Sequence, residues 1–142
     1  MILKNDQKED ISRRIDFIET QLGDLKQFQT LDWQLYREDR DVQRNIERLV
    51  ENVANAAIDI AKIVIAGEDV EMPNSYRDII LKLADIKVLD AGLAAEIAEN
   101  AGLRNILAHQ YLDIRWDRIK KFIQKAPQIF PKFIQSLAPK LK

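Results

Sequence analysis

Cysteine is absent from this sequence of 142 residues, and histidine occurs once, as His109. The first absence excludes disulfides, iron–sulfur clusters, cysteine-ligated zinc and thiol catalysis. The second excludes a metal site built from several histidines of one chain. Glycine is also scarce, and its four positions are too scattered to form a phosphate-binding loop or a dinucleotide-binding fingerprint: Gly23, Gly67, Gly92 and Gly102. We therefore expect neither a metal nor a cofactor.

Long apolar runs are missing as well. Residues 63–66 form a typical apolar stretch, far shorter than the roughly 20 residues of a membrane-spanning helix. Residues 1–6 become charged at once and lack the apolar centre of a signal peptide. These features predict a cytoplasmic protein.

The composition, 46% hydrophobic and 32% charged with a net charge of −1, is typical of a single soluble domain, here residues 1–142. The charge is unevenly distributed. Residues 115–142 contain eight basic residues and one acidic residue, a net charge of +7, which leaves −8 on residues 1–114. Two interpretations remain open. The basic segment could contact phosphate groups or an acidic partner, or it could be the solvated face of an amphipathic helix.

Apolar residues recur at helical spacing throughout the chain, whereas sustained β-branched alternation is absent. The pattern predicts one helix over residues 6–27 and a second through residues 42–64 that ends before Gly67. A short helical turn over residues 31–36 is expected to place two aromatic rings on the bundle.

Three further helices are predicted from possible capping residues. Ser75 begins a helix that reaches about residue 86, and Asp90 begins one that ends near Ala108. Asp113 caps the last helix, over residues 114–138, which two prolines should kink or split: Pro127 and Pro131. The chain should then fray near Pro139. The predicted fold is all-α, a compact antiparallel bundle of four to five helices.

The segment 102–111 gathers the residues best suited to chemistry: Arg104, Asn105, His109 and Tyr111. An imidazole can take and give a proton near neutral pH, and a guanidinium matches the oxygens of a phosphate group. Cleavage of RNA through its 2′-hydroxyl requires such groups: a base, an acid and a cation. These residue types alone do not establish catalysis, however, because a histidine and an arginine at a helix end also fit capping or a structural role.

The spacing of these residues sets a geometric condition on such a site. On an ideal helix Arg104 and His109 point about 140° apart, whereas Asn105 and His109 are neighbours one turn apart and could fix the ring orientation. A helix that ends between Ala108 and Tyr111 could turn His109 towards Arg104.

The order Arg104, four residues, His109, one residue, Tyr111 resembles the signature of the HepT toxins of the HEPN superfamily. These are the helical partners of minimal nucleotidyltransferases in type VII-like toxin–antitoxin systems. Four segments resemble the family in the same order: residues 39–44, 56–61, 73–78 and 102–109. The resemblance covers roughly residues 5–125.

The resemblance implies a toxin that is a metal-independent endoribonuclease, with Arg104 and His109 as the catalytic pair and Asn105 in support. It also implies that a cognate nucleotidyltransferase antitoxin silences the toxin by adding AMP to Tyr111. The alternative is a catalytically inactive helical dimer that binds a nucleotide or a partner protein.

Acid–base cleavage by imidazole normally uses two proton-transfer groups, and each chain has one histidine. We therefore predict a symmetric homodimer in which two copies of the motif share one cleft. Trp116 would be either a platform for an RNA base beside that cleft or a core residue of the last helix.

Overall fold

Seven α-helices make up most of the protein in its computed structural model, which describes residues 2–142. Their bounds are α1 Asn5–Leu25, α2 Trp33–Glu38, α3 Arg40–Ala66, α4 Tyr76–Asp85, α5 Ala91–Ala101, α6 Leu103–His109 and α7 Leu112–Ser136. Short 3₁₀ turns follow α1 and α7, at Lys26–Phe28 and Ala138–Leu141. No β-strand occurs within residues 2–142, which confirms the all-α prediction. None of the described helices has the length and hydrophobicity needed to cross a membrane.

The long helices pack through the apolar stripes read from the sequence. Helix α1 lies against α3, and its buried residues include Ile11, Ile15 and Ile18. Helix α7 adds three phenylalanine side chains that are almost completely buried: Phe122, Phe130 and Phe133. Because such rings remove large apolar areas from water, α7 is held to the bundle along much of its length.

Two predicted caps are confirmed. The Ser75 hydroxyl accepts a hydrogen bond from the Asp78 amide at 3.1 Å, and a carboxylate oxygen of Asp90 accepts one from the Leu93 amide at 2.8 Å. The third was wrong, because Tyr111 is the N-cap of α7 and Asp113 lies within its first turn. A carboxylate at that position still interacts favourably with the positive end of the helix dipole.

The predicted fourth helix is in fact two helices. Helix α5 ends at Ala101, Gly102 separates the two, and α6 begins at Leu103. Glycine is a poor helix former because its unfolded backbone is unusually free, and the interruption falls where it occurs. As a result, the residues of interest lie on a short helix of their own.

The C-terminal part of the chain also differs from expectation. Helix α7 is not split, since it continues through Pro127 and Pro131. Both proline rings face solvent, so they interrupt the hydrogen bonds of α7 without displacing the side chains that it packs against the core. Nor does the chain fray near Pro139, because Lys140 in the final 3₁₀ turn forms an ion pair with Glu68 at 2.6 Å.

Candidate functional site

Helix α6 displays its polar residues because its apolar ones pack inward. Leu103 is buried, and Ile106 and Leu107 pack partly buried against the core. This spacing of three and four residues leaves Arg104 and Asn105 exposed to solvent. Contacts with α3, α5 and α7 hold the short helix in place, so tertiary packing compensates for its lack of length.

Arg104 points into an open groove between α6 and α3. Its Nε atom lies 3.4 Å from Oε1 of Glu51 on α3. The groove has a volume of about 530 Å³. Its polar lining comes from both helices: Arg44, Glu47, Arg48, Glu51, Asn52 and Arg104.

The arginines of this groove differ in how strongly they are engaged. Arg44 forms an ion pair with Asp41 one turn earlier on α3. Arg48 forms no ion pair within residues 2–142. Planar guanidinium groups bind phosphate oxygens through two parallel hydrogen bonds. Arg48, together with the donors of Arg104 that do not face Glu51, could therefore bind an anion in this open groove.

His109 and Tyr111 lie just beyond the groove. His109 is the last residue of α6 and is exposed, as the predicted helix end requires. Neither His109 nor Tyr111 is among the residues that line the groove. Asn105 makes no hydrogen bond to the His109 ring within the described chain. One chain thus exposes all the motif residues, but it does not bring the imidazole into the groove beside Arg104.

The Tyr111 hydroxyl is free to meet a partner. The residue is 82% exposed, and its extended backbone joins α6 to α7 as the N-cap. By contrast, Tyr36 is fully buried, while Tyr76 is 44% exposed. Of the three tyrosines, Tyr111 is therefore the most accessible to a modifying enzyme.

A half-buried ion pair supports this end of the bundle. Nη2 of Arg115, on α7, donates to Oε1 of Glu47, on α3, at 2.6 Å, and the Tyr36 hydroxyl donates to Oε2 of Glu47, also at 2.6 Å. Burial and the hydrogen bond to Glu47 raise the pKa of Tyr36. The Tyr36 ring lies 5.2 Å from that of Trp116, which is buried. Trp116 is thus a core residue, and the interpretation as a base platform was wrong.

The sequence does not indicate that α3 contributes to this site. Arg44 and Arg48 are one turn apart, as are Glu47 and Glu51, so the helical spacing does reveal a charged face. Such faces usually meet only solvent, however. Nothing local to α3 indicated that this one lies against Arg104.

The basic C-terminal segment is partly neutralised by the acidic body. Three of its eight basic residues form ion pairs there: Arg115 with Glu47, Lys121 with Glu99 at 2.8 Å, and Lys140 with Glu68 at 2.6 Å. Hydrogen bonds from Lys121 and Lys140 lower the pKa values of Glu99 and Glu68, respectively. Other basic residues of α7 remain available to an anion. Within residues 2–142, no group of three or more acidic or histidine side chains could hold a metal ion.

Known proteins resemble this chain over most of its length. The family model Ribonuclease HepT-like matches residues 18–137. The tRNA nuclease HepT of Aphanizomenon flos-aquae is 30% identical over 127 residues, which cover 89% of this chain and 86% of that protein. The mRNA nuclease HepT of Shewanella oneidensis is 27% identical over 124 residues, or 87% of each chain.

Solved structures share the fold. The tri-AMPylated HEPN toxin of Shewanella oneidensis in complex with MNT antitoxin superimposes with a TM-score of 0.80 at 24% identity, covering 92% of this chain and 97% of that one. A toxin–antitoxin structure with AMP-PNP gives a TM-score of 0.81 at 23% identity, covering 92% and 98%.

Proposed function

Since the chain belongs to the Ribonuclease HepT-like family, we propose that it is a metal-independent endoribonuclease and the toxin of a toxin–antitoxin pair. The observation that carries the proposal is the position of Arg104. Its guanidinium lies in an open groove beside Arg48, while His109 is exposed at the end of the same short helix. The residue for phosphate binding, Arg104, and the residue for proton transfer, His109, thus lie about one and a half helical turns apart on α6.

In this proposal Arg104 binds the non-bridging oxygens of the scissile phosphate and stabilises the charge that grows there in the transition state. An imidazole takes the proton of the 2′-hydroxyl, whose oxygen attacks phosphorus in line with the 5′-oxygen. The bond from phosphorus to that oxygen breaks, and a second proton-transfer group protonates the leaving oxygen. The products are a 2′,3′-cyclic phosphate and a 5′-hydroxyl end.

A second copy of the chain would supply the second imidazole. His109 stands outside the groove of its own chain, so a symmetric homodimer could place it beside the groove of the other. Two exposed apolar side chains support such an interface. Ile114 is 39% exposed and Leu35 is 47% exposed. Ile114 immediately precedes Arg115, and Leu35 immediately precedes Tyr36. Arg115 and Tyr36 both contact Glu47.

The partner in this proposal is a minimal nucleotidyltransferase antitoxin that transfers AMP to the Tyr111 hydroxyl, and the site of action is the cytoplasm. The exposure of Tyr111 supports the transfer of AMP to its hydroxyl. A bulky, negatively charged nucleotide on a residue so close to His109 would repel an RNA phosphate and obstruct the groove.

A paired substrate tests the ribonuclease mechanism. The purified chain is incubated with a single-stranded oligoribonucleotide and with the same sequence in uniformly 2′-deoxy form, with EDTA present throughout. We expect only the ribose strand to be cut, leaving a cyclic phosphate that mass spectrometry identifies. Equal cleavage of both strands would refute attack by the 2′-hydroxyl. Binding without cleavage would instead favour the inactive binding module.

A further inference from the structure

A second groove lies on the other side of α6, between α5 and α7. Its volume is about 400 Å³, within the range of pockets that hold small ligands or parts of larger ones. Leu103, Phe122 and Ile129 contribute an apolar base to it, and all three are buried. Its rim is charged.

Three basic residues of α7 form that rim: Arg118, Lys121 and Lys125. Their spacing of three and four residues places them on one stripe of the helix. Lys121 is engaged by Glu99 on α5 at 2.8 Å. Arg118 and Lys125 form no ion pair within residues 2–142. Arg118 interacts with Glu99 only at longer range, where its charge helps to lower the pKa of that carboxylate. Because neither Arg118 nor Lys125 donates a hydrogen bond within this part of the chain, these two are the available cations of the groove.

The two free cations are separated by nearly two helical turns, about 10 Å along the axis of α7. That separation suits two phosphate groups of one strand better than a single phosphate ion. The apolar base between them is suited to a nucleobase or ribose, since single-stranded RNA can turn its unstacked bases towards a protein. Glu96 and Glu99 on the α5 side disfavour deep entry of the phosphates and keep them at the α7 rim.

The position of this groove connects it with the motif. Leu103 lines the α5/α7 groove and its neighbour Arg104 lines the α3/α6 groove. Only the first turn of α6 separates the two. In this arrangement a strand with its reactive phosphate at Arg104 would pass over that turn on its way to Arg118 and Lys125.

We propose that the α5/α7 groove binds the phosphodiester backbone of the RNA substrate beside the bond that is cut, through Arg118 and Lys125. This inference rests on the proposed ribonuclease function. It gives a role to two of the basic residues of the C-terminal segment that form no ion pair with the acidic body. Lys121 stays bound to Glu99 and shapes the groove.

The test compares two double variants that remove the same charge from the same helix. Arg118→Gln with Lys125→Gln removes both free cations of the groove. Lys120→Gln with Lys132→Gln removes two exposed cations of α7 that do not line it. Both pairs are made in the His109→Ala chain, which should bind RNA without cutting it. The probe is a fluorescent single-stranded oligoribonucleotide of mixed sequence.

The readout is the dependence of the dissociation constant on salt. Each phosphate contact on single-stranded nucleic acid contributes about 0.7 to the slope of log affinity against log salt. We expect Arg118→Gln with Lys125→Gln to reduce that slope by about 1.4 and the control pair to leave it unchanged. Equal slopes in all chains, or an equal reduction in both double variants, would overturn the assignment of the groove.

Cleavage by the chain with intact His109 separates this inference from the ribonuclease proposal. If that chain cuts RNA but the groove variant keeps the full salt slope, the groove alone is wrongly assigned. If the chain with intact His109 neither binds nor cuts RNA, both the ribonuclease proposal and the assignment of the groove are wrong. In the cleaving background, we expect Arg118→Gln with Lys125→Gln to raise KM while kcat stays within about twofold, because the contacts lie away from the reacting atoms.

Discussion

Nε of Arg104 lies 3.4 Å from a carboxylate oxygen of Glu51, an ion pair that joins the short helix α6 to the long helix α3. Both side chains are about half exposed, so the pair contributes little to stability, about 1 kcal/mol or less. The ion pair instead orients Arg104, because it holds the Nε edge of the guanidinium. The other donors of the guanidinium remain available to a phosphate.

Glu51→Gln should therefore affect the reaction more than the fold. We expect the free energy of unfolding to change by about 1 kcal/mol or less. We expect kcat for RNA cleavage to fall by about fivefold, the equivalent of about 1 kcal/mol, as the guanidinium loses its fixed orientation. Glu38→Gln, which removes a similarly exposed ion pair with Arg37, is the control and should leave kcat unchanged. A comparable loss in both variants would contradict an orienting role for Glu51.

Mixtures of chains test whether two copies of His109 serve one site. His109→Ala should lower cleavage by about a hundredfold or more. When this variant and the unmodified chain are unfolded and refolded together in equal amounts, we expect about a quarter of the full activity, since only dimers with two imidazoles cut RNA. Activity that follows the fraction of unmodified chain, about a half, would mean that each chain works alone.

Mass spectrometry of the chain co-expressed with its nucleotidyltransferase tests the role of Tyr111. We expect one or more AMP groups on the unmodified chain and none on Tyr111→Phe. Tyr76→Phe removes the other exposed hydroxyl of this type and should still be modified. If AMP stays on Tyr111→Phe and disappears with Tyr76→Phe, the modification site is assigned to the wrong residue.

The stability of the protein should fall at alkaline pH, in part because of Tyr36. The pKa of this phenol is raised in the folded state by burial and by Glu47, whereas in the unfolded chain it stays near 10. The unfolded state therefore releases the proton first, and stability is lost as the pH rises above about 10. Urea unfolding as a function of pH should show a shallower alkaline loss in Tyr36→Phe.

The exposed Tyr111 provides the control for that comparison. Tyr111→Phe removes a hydroxyl from a side chain that is 82% exposed, and its urea unfolding at each pH is the reference for the comparison. The same alkaline slope in Tyr36→Phe as in the other two chains would rule out the contribution of Tyr36. At neutral pH, Tyr36→Phe should cost about 1–2 kcal/mol through the lost hydrogen bond to Glu47.

The sequence alone determined the helices and the segment that carries the motif. The apolar stripe through Ile11, Ile15 and Ile18 predicts α1, because helical spacing is a local property of the chain. The same reasoning predicts that Arg104 lies in a helix and that this helix ends near His109, but it does not predict the break at Gly102 that puts Arg104 near the start of a separate helix. The order of residues in that segment was also enough to indicate the family.

Only the tertiary structure decided what these residues meet. It paired Arg104 with Glu51, buried Trp116 against Tyr36, and placed Arg118 and Lys125 on a groove next to α6. These contacts join residues far apart in the chain, and their register depends on how whole helices pack. A helical repeat tells which face of a helix is polar, but it does not tell which other helix that face will meet.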